Sequence, residues 1–418
     1  MGDKMSGGFW LPTSKIFRDE GKLQVDYVPR CLPFREEQLN MLREYFKPFL
    51  LKPGSVFVRV LLLGSVGTGK TAVVRRFGED LNGAKLAKGA SARFAYVNCH
   101  AHRSLFSIMQ KIGKDLGLNV PRRGFSREEL LMMIWSYLKN SNEYLVAAID
   151  EADYIAHSGE EALYVLTRLT EIVEDEVHRI GLVFVFRDLT FMMSLDRSVQ
   201  STLQHNIIRF YPYTSEQLEE ILMKRVEEGA LYESAISDEV IEMIGELVGY
   251  DRGGSGDARL ALEILYRAGK YAESEDRESI LPEDIRRAHS DVMPFPKDAL
   301  LNLKLDEKLL LLALARLLQR KKFISKVPMG LLELEYHDIC EEHGLAPKRH
   351  TAVWECIRNM SRMGIISTGK PGKGQKGRTT LIGLPAIPLK TLEKELLLLI
   401  REDLSSGAAD RSGPESLD

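Results

Sequence analysis

The chain is 418 residues long, 44% hydrophobic and 28% charged, with a formal net charge of −3. This length accommodates two or three domains with cores of their own, in proportions usual for a soluble globular protein. No apolar run approaches the ~18 residues of a membrane span, Met1-Gly2-Asp3-Lys4 opens no signal-peptide core, and Cys31, Cys99, Cys340 and Cys356 make no C-x-x-C pair, which argues against a membrane span, export and a disulfide or thiolate–metal scaffold and points to core thiols in a reducing cytoplasm.

In chain order, residues 1–24 form a polar leader. Asp26-Tyr27-Val28-Pro29-Arg30 leads to Phe34-Arg35-Glu36-Glu37-Gln38, where an amphipathic helix begins with Leu39, Leu42, Tyr45 and Phe46 on one face. Val58 to Leu63 reads as a buried strand. It runs into Gly64-Ser65-Val66-Gly67-Thr68-Gly69-Lys70-Thr71, which fits the phosphate-loop pattern G-x-x-x-x-G-K-[ST]. Gly64 and Gly69 let the backbone turn and bring its N–H groups, with those of Ser65, Val66, Gly67 and Thr68 between them, toward phosphate oxygens. Lys70 neutralises the β/γ-phosphates, and Thr71 offers its hydroxyl to Mg²⁺ at a helix start. ATP or GTP with Mg²⁺ is therefore expected at this loop, and the resemblance drawn below narrows it to ATP or ADP.

A helix from Lys70 to Leu81 follows, then a strand at Phe94 to Asn98 and a helix carrying Leu105, Ile108, Met109 and Ile112. The exposed basic turn Val120-Pro121-Arg122-Arg123-Gly124-Phe125 precedes a capping box of Ser126 with Glu129. Leu145 to Ile149 is a third strand ending in Asp150-Glu151-Ala152-Asp153, eighty residues after Lys70. At that spacing Asp150 holds Mg²⁺ through water beside Thr71, and Glu151 orients or deprotonates the attacking water. A helix over Ala162–Val173, a strand at Leu182–Phe186 and a short strand at Ile207–Tyr211 complete an α/β domain over 25–213. Alternating strands and helices predict a parallel sheet covered on both faces.

From Thr214, which forms a capping box with Gln217, three or four helices make a small helical lid over 214–296, closed by a hinge at Pro294 and Pro296. Residues 297–403 show three helices and then two short strands around a Gly/Lys-rich loop; 404–418 read as a disordered tail. Between Pro347 and Thr379 stand Lys348, Arg349, Arg358, Arg362, Lys370, Lys373, Lys376 and Arg378 against the single acid Glu355, a local +7 in a chain of net −3. That asymmetry is the footprint of phosphate binding. Its pattern is a winged helix-turn-helix. The second helix enters the major groove by the end that carries Lys348, Arg349, His350 and Thr351, and Lys370, Lys373, Lys376 and Arg378 lie in the wing.

These motifs together resemble an AAA+ ATPase, and more narrowly the archaeal replication initiators related to the eukaryotic origin recognition complex and its Cdc-type loader. The family pattern D-Y-V-P-x-x-L-P-x-R-E-x-Q stands here as Asp26-Tyr27-Val28-Pro29, Leu32-Pro33, Arg35-Glu36 and Gln38. The resemblance implies that this segment, through Val28, Pro29 and Arg35, wraps the adenine. Gly256-Asp257-Ala258-Arg259-Leu260-Ala261-Leu262 matches the second sensor, which implies that Arg259 reads the γ-phosphate from the lid. It also implies a DNA contact from the ATPase domain at Arg122, Arg123 and Gly124. Two positions depart from the family. Arg187 replaces the first-sensor Asn, where an Arg still touches phosphate yet does not orient water as an amide does. Ser198 occupies the finger position of Leu195-Asp196-Arg197-Ser198-Val199-Gln200-Ser201. The reading that follows is an ATP-switched initiator of the cytoplasm and nucleoid, with slow hydrolysis, that binds double-stranded origin DNA and works with the replicative helicase and a paralogous initiator. The alternative is an AAA+ loader or remodelling ATPase whose winged helix docks a protein client.

Overall fold

A computed structural model describes residues 14–120, 124–158, 160–169, 177–188, 200, 203, 206–294, 298–369, 379–384 and 386–409. Arg122, Arg123, Leu195 to Val199, Pro296, Lys370, Lys373, Lys376 and Arg378 lie outside them, as do residues 1–13 and 410–418. The chain forms two compact units. One is Asp26–Gln217 with Ser255–Ala258, the other Met1–Val25, Leu218–Gly254 and Arg259–Asp418.

The first unit is built on five parallel strands, β1 (Arg59–Leu63), β2 (Ser91–Asn98), β3 (Glu143–Asp150), β4 (Ile180–Phe186) and β5 (Ile207–Arg209), in the order β2-β3-β4-β1-β5. β4, Ile-Gly-Leu-Val-Phe-Val-Phe, is buried along its whole length, and only the first residue of β1 and of β3 escapes burial. Strands covered on both faces need continuous apolar runs of this kind. On one face Val60, Leu62, Val146, Ala148, Val183 and Val185 pack under α1 (Glu36–Leu51) and α2 (Lys70–Leu81), through Leu42, Phe46, Val73 and Phe77. On the other, Leu61, Leu63, Ala147, Ile149, Leu182 and Phe184 meet Ile108 and Ile112 of α3 (Leu105–Asp115) and Leu130 and Ile134 of α4 (Arg127–Asn140). α4 starts at the expected box, with Glu129 N donating to Ser126 Oγ at 3.1 Å and Ser126 N to Glu129 Oε2 at 2.6 Å. The short helices α5 (Asp153–Ser158) and α6 (Glu160–Thr167) follow β3. Register pairs Asn98 with Asp150, Ile149 with Phe184, and Leu63 with both Phe186 and Arg209. All five carboxyl ends thus finish at one edge, where parallel sheets place their ligands.

The helical lid is formed by α7 (Ser215–Glu227), α8 (Asp238–Val248), α9 (Ala258–Ser274) and α10 (Pro282–Val292), which fall in the second unit apart from the first three residues of α7 and the first of α9. Residues 14–25, expected as part of a polar leader, are a strap on these helices. Ile16, Phe17 and Leu23 are buried, Phe17 bridges Leu231, and the Phe17 ring lies where a Cβ on Gly269 would stand, with Cζ 2.3 Å away. Three apolar residues in a polar stretch show no period, so only tertiary packing reveals this element. The C-terminal part holds α11 (Asp298–Leu301), α12 (Leu305–Arg320), β6 (Lys326–Pro328), α13 (Met329–Glu342), α14 (His350–Arg362), β7 (Ser367–Gly369), β8 (Leu381–Gly383) and α15 (Leu389–Ala409). Its sheet is antiparallel in the order β6-β8-β7, one strand more than the two expected, because three-residue β6 is too short to show alternation. α12 is the core helix, buried from Glu307 to Ala315. It packs with α15, whose Leu392, Leu396 and Ile400 are buried at helical spacing. α15 continues to Ala409, past residue 403 where a tail was expected.

Candidate functional site

The turn after β1 is held from all sides. Gly69 sits in the left-handed region (φ +90°) and caps α2, and a Cβ there would stand 2.6 Å from the Tyr213 hydroxyl. Gly67 (φ +71°) faces the carboxylate of Asp257, whose Oδ1 lies 1.6 Å from where a Cβ would be. Neither position admits a side chain. Ala258 N also donates to Gly67 O at 3.1 Å. Lys70, largely buried, donates to Gly64 O at 2.5 Å and to Ser65 O at 2.6 Å, and the Thr68 hydroxyl donates to Ser65 O at 2.8 Å. Ser65 and Val66 are exposed at the tip. Peptide N–H groups, one ammonium and a helix start converge here, the elements of an anion cradle.

Arg35 acts on this loop through protein atoms. It is buried, its Nε donates to Thr68 O at 2.8 Å, Nη2 to Tyr211 O at 2.7 Å and Nη1 to Phe34 O at 2.8 Å, and its guanidinium lies 3.9 Å from the Tyr213 ring centroid. The residue ties the start of α1 to the phosphate loop and to the segment after β5. Val28 is half-buried and Pro29 buried just before it.

Asp150, 2% exposed at the end of β3, accepts three hydrogen bonds: Thr71 Oγ1 at 2.8 Å and Tyr96 OH at 2.6 Å on Oδ2, and Glu151 N at 2.8 Å on Oδ1. Thr71 and Asp150 therefore meet as the spacing predicts. Tyr96 is a participant that sequence reasoning missed; its signal is a phenol inside the short apolar run Phe94–Val97, where a half-buried hydroxyl needs a partner. Burial and the Asp150 carboxylate raise the Tyr96 phenol pKa, which keeps the proton on the donor. Glu151 adopts φ +54°, a left-handed conformation uncommon outside Gly, Asn and Asp. Its carboxylate lies 3.7 Å from Arg187 Nη2, while Arg187 N donates to Asp153 Oδ1 at 3.2 Å and the Arg187 guanidinium sits 5.5 Å from the Tyr154 ring centroid. Burial raises the Asp153 carboxyl pKa against that backbone bond. Burial, with Asp150 next, pushes Cys99 up to about 12, so this thiol is no nucleophile. Arg259, the second residue of α9, is half-buried and belongs to the other unit.

In the C-terminal part, α13, the turn at Gly344 (φ +67°) and α14 make the helix-turn-helix. Val353, Ile357 and Met360 point into the core, which leaves Thr351, Glu355, Arg358 and Arg362 as one exposed stripe. Arg349 is the N-cap residue and its side chain makes no cap bond. Lys348 Nζ is 3.8 Å from Asp306, and His350 Nδ1 hydrogen-bonds with Glu333. Lys348, Arg349, His350 and Thr351 all stand exposed at the helix start. Gly124 is exposed at φ +101°, beside Phe125.

Comparison with known proteins agrees with this architecture. An AAA domain model matches residues 59–189, a Cdc6 AAA+ ATPase-type lid model 219–290, and a CDC6 C-terminal winged helix model 298–394. The ORC1-type DNA replication protein 2 of Sulfurisphaera tokodaii is 37% identical over 396 residues, covering 94% of each chain. Cdc6p of Pyrobaculum aerophilum superposes with a TM-score of 0.82 at 33% identity over 93% of this chain and all of that one. The ORC1 protein of Aeropyrum pernix, solved in complex with DNA, gives 0.59 at 28% identity, covering 95% of this chain and 99% of that one. No helix among the described residues is long and apolar enough to cross a membrane. The chain belongs to the archaeal ORC1/Cdc6-type family of replication initiators.

Proposed function

We propose that this chain binds double-stranded origin DNA under the control of bound ATP or ADP and helps recruit the replicative helicase, beside a paralogous initiator, in the cytoplasm at the nucleoid. The observation that carries the reading is one chain joining a phosphate loop backed by Asp150 to a helix-turn-helix whose second helix leaves its start and one face open. The DNA complex of the Aeropyrum pernix relative supports it.

On DNA, α14 enters the major groove from the end bearing Lys348, Arg349, His350 and Thr351. Arg358 and Arg362, on the stripe continuous with Thr351, extend that surface toward phosphates. Lys370, Lys373, Lys376 and Arg378 follow the backbone from the wing, and Arg122, Arg123 and Gly124 supply a second contact from the ATPase domain. Contacts from two places reward a bent duplex and add shape to base readout.

At the nucleotide, the loop N–H groups and Lys70 hold the β- and γ-phosphates, and Val28 and Pro29 wrap the base. Thr71 and Asp150 fit a magnesium ion by chemistry. A hydroxyl and a carboxylate are hard oxygens, and Mg²⁺ is usually held by one or two carboxylates with waters and substrate phosphates. Bound there it supplies charge neutralisation at the phosphates. Glu151 orients water, but its carboxylate shares Arg187, a cation where an amide would align that water. Slow turnover follows, and the nucleotide acts mainly as a switch that Arg259 reads.

Salt-titrated binding of duplex fragments, with ATP and with ADP, tests the reading. Origin fragments of the source genome should bind more tightly than shuffled controls at physiological salt. Indifference to sequence at every salt would overturn it and favour a loader whose winged helix docks a protein client.

A further inference from the structure

Asp150 has about four acceptor positions as an ionised carboxylate, and the described structure fills three of them. Two of the three donors are side-chain hydroxyls on the same oxygen. Thr71 comes from the start of α2 and Tyr96 from β2, the strand next to β3. Register sets Tyr96 opposite Ala148, two residues before Asp150, so the phenol reaches along the sheet to the carboxylate. Above the ring, at 4.8 Å from its centroid, lies the guanidinium of Arg75, and Arg75 Nη1 in turn meets Asp26 Oδ1 at 3.1 Å. Asp26 opens the Asp-Tyr-Val-Pro segment. A line of contacts therefore runs Asp26–Arg75–Tyr96–Asp150–Thr71 within one unit.

We infer that Tyr96 is a positioning residue for the magnesium end of the nucleotide site: its hydroxyl fixes the Asp150 carboxylate so that the one open acceptor position is presented to the hydrated cation. This deepens the nucleotide reading above and rests on it. A carboxylate at a strand end turns about its χ angles unless neighbours hold it. The Glu151 N–H holds one oxygen. The other is shared with Thr71, whose hydroxyl is itself expected to leave for the cation. When it does, Tyr96 is the side-chain donor that stays. Arg75, pinned by Asp26, keeps the ring in place, so seating of the base segment and aim of the carboxylate are linked through one aromatic side chain.

The test is nucleotide affinity with excess Mg²⁺ and with chelator, for the full chain and for Tyr96→Phe and Tyr96→Leu, with thermal melting alongside. Outer partners of metal-binding groups change metal affinity by about 10- to 100-fold, so Tyr96→Phe should lose roughly tenfold of the magnesium-dependent gain. Its affinity in chelator and its melting temperature should stay near those of the wild type. A packing role alone predicts a wild-type magnesium gain in Tyr96→Phe and loss of stability only in Tyr96→Leu; that result overturns the inference. A wild type that binds no nucleotide with or without Mg²⁺ overturns the nucleotide reading itself, and the inference with it. Retained nucleotide binding with an unchanged magnesium gain in Tyr96→Phe overturns the inference alone.

Discussion

The ammonium of Lys70 spends its donors on the carbonyls of Gly64 and Ser65, so the loop carries its cation preassembled at the place where phosphate charge arrives. Exchange of carbonyl partners for phosphate oxygens strengthens each bond, because both partners are then charged. Lys70→Ala should therefore cost about 2 kcal/mol or more of nucleotide binding, roughly 30-fold in Kd, with little change in circular dichroism; an unchanged Kd by titration calorimetry would remove the phosphate-loop assignment. Arg187 presents the opposite case. Its pair with Glu151 is long at 3.7 Å and partly exposed, and pairs of that kind contribute up to about 1 kcal/mol. Arg187→Asn frees the Glu151 carboxylate and supplies an amide for the water. Turnover should rise by up to about fivefold at unchanged nucleotide affinity, read as kcat under saturating ATP. A fall in kcat would mean that Arg187 serves the phosphate rather than restraining Glu151.

Helix placement decides which residues reach the site. α2 leaves the phosphate loop and must lie close on β2, and Gly78 permits it: a Cβ there would stand 2.2 Å from the Phe94 ring. Gly78→Ala should destabilise the fold by about 1–3 kcal/mol through overpacking, seen as a lower denaturation midpoint with an unchanged m-value. At α14 the exposed helix start is where the proposed DNA contact is tested. Arg349→Ala should weaken specific duplex binding by about 1–3 kcal/mol, while Lys373→Ala should lower the salt slope by about one if the wing contacts phosphate. Equal salt slopes in wild type and Lys373→Ala would take that lysine off the backbone. How much of this the sequence discloses depends on the range of the interactions. Strands buried on both faces, the phosphate loop, the capping boxes and the basic start of α14 are local patterns of spacing and residue type, and they were legible. The Arg35 clamp, the Tyr96 bond and the Asp257 contact with Gly67 join residues 33 to 190 positions apart, and no local period records them. β6 is three residues long and the strap has three buried apolar side chains, too few to stand out. α15 did carry a signal, Leu389, Leu392, Leu396 and Ile400 at helical spacing, which the run of leucines around it masks.

Across the second unit, the lid helices and the winged helix are joined by side chains as well as by the proline-containing connection. Arg286 of α10, 1% exposed, donates from Nε to Leu384 O at 2.6 Å, and its neighbour Glu283 accepts from Leu389 N at 3.0 Å. Glu239 of α8 accepts from Ser325 N at 2.7 Å, and Glu246 pairs with Lys326 at 2.6 Å. The bonds fall on the edges of β6, β8 and α15, so the lid holds the sheet side of the winged helix rather than α14. A hinge at Pro294 and Pro296 alone would let the two parts titrate, melt and move independently; with this seam they should melt as one cooperative body. Arg286→Met keeps most of the volume and removes the donors, leaving Leu384 O and the half-buried Glu283 without their cation, a loss of about 3 kcal/mol by analogy with broken buried pairs. Calorimetry should then resolve a separate, earlier transition for the winged helix. If the lid relays the proposed nucleotide switch, the ratio of DNA affinity with ATP to that with ADP should move toward one in the same variant. A single transition at the wild-type melting temperature, with the ratio intact, would take the seam out of both the cooperativity and the proposed switch.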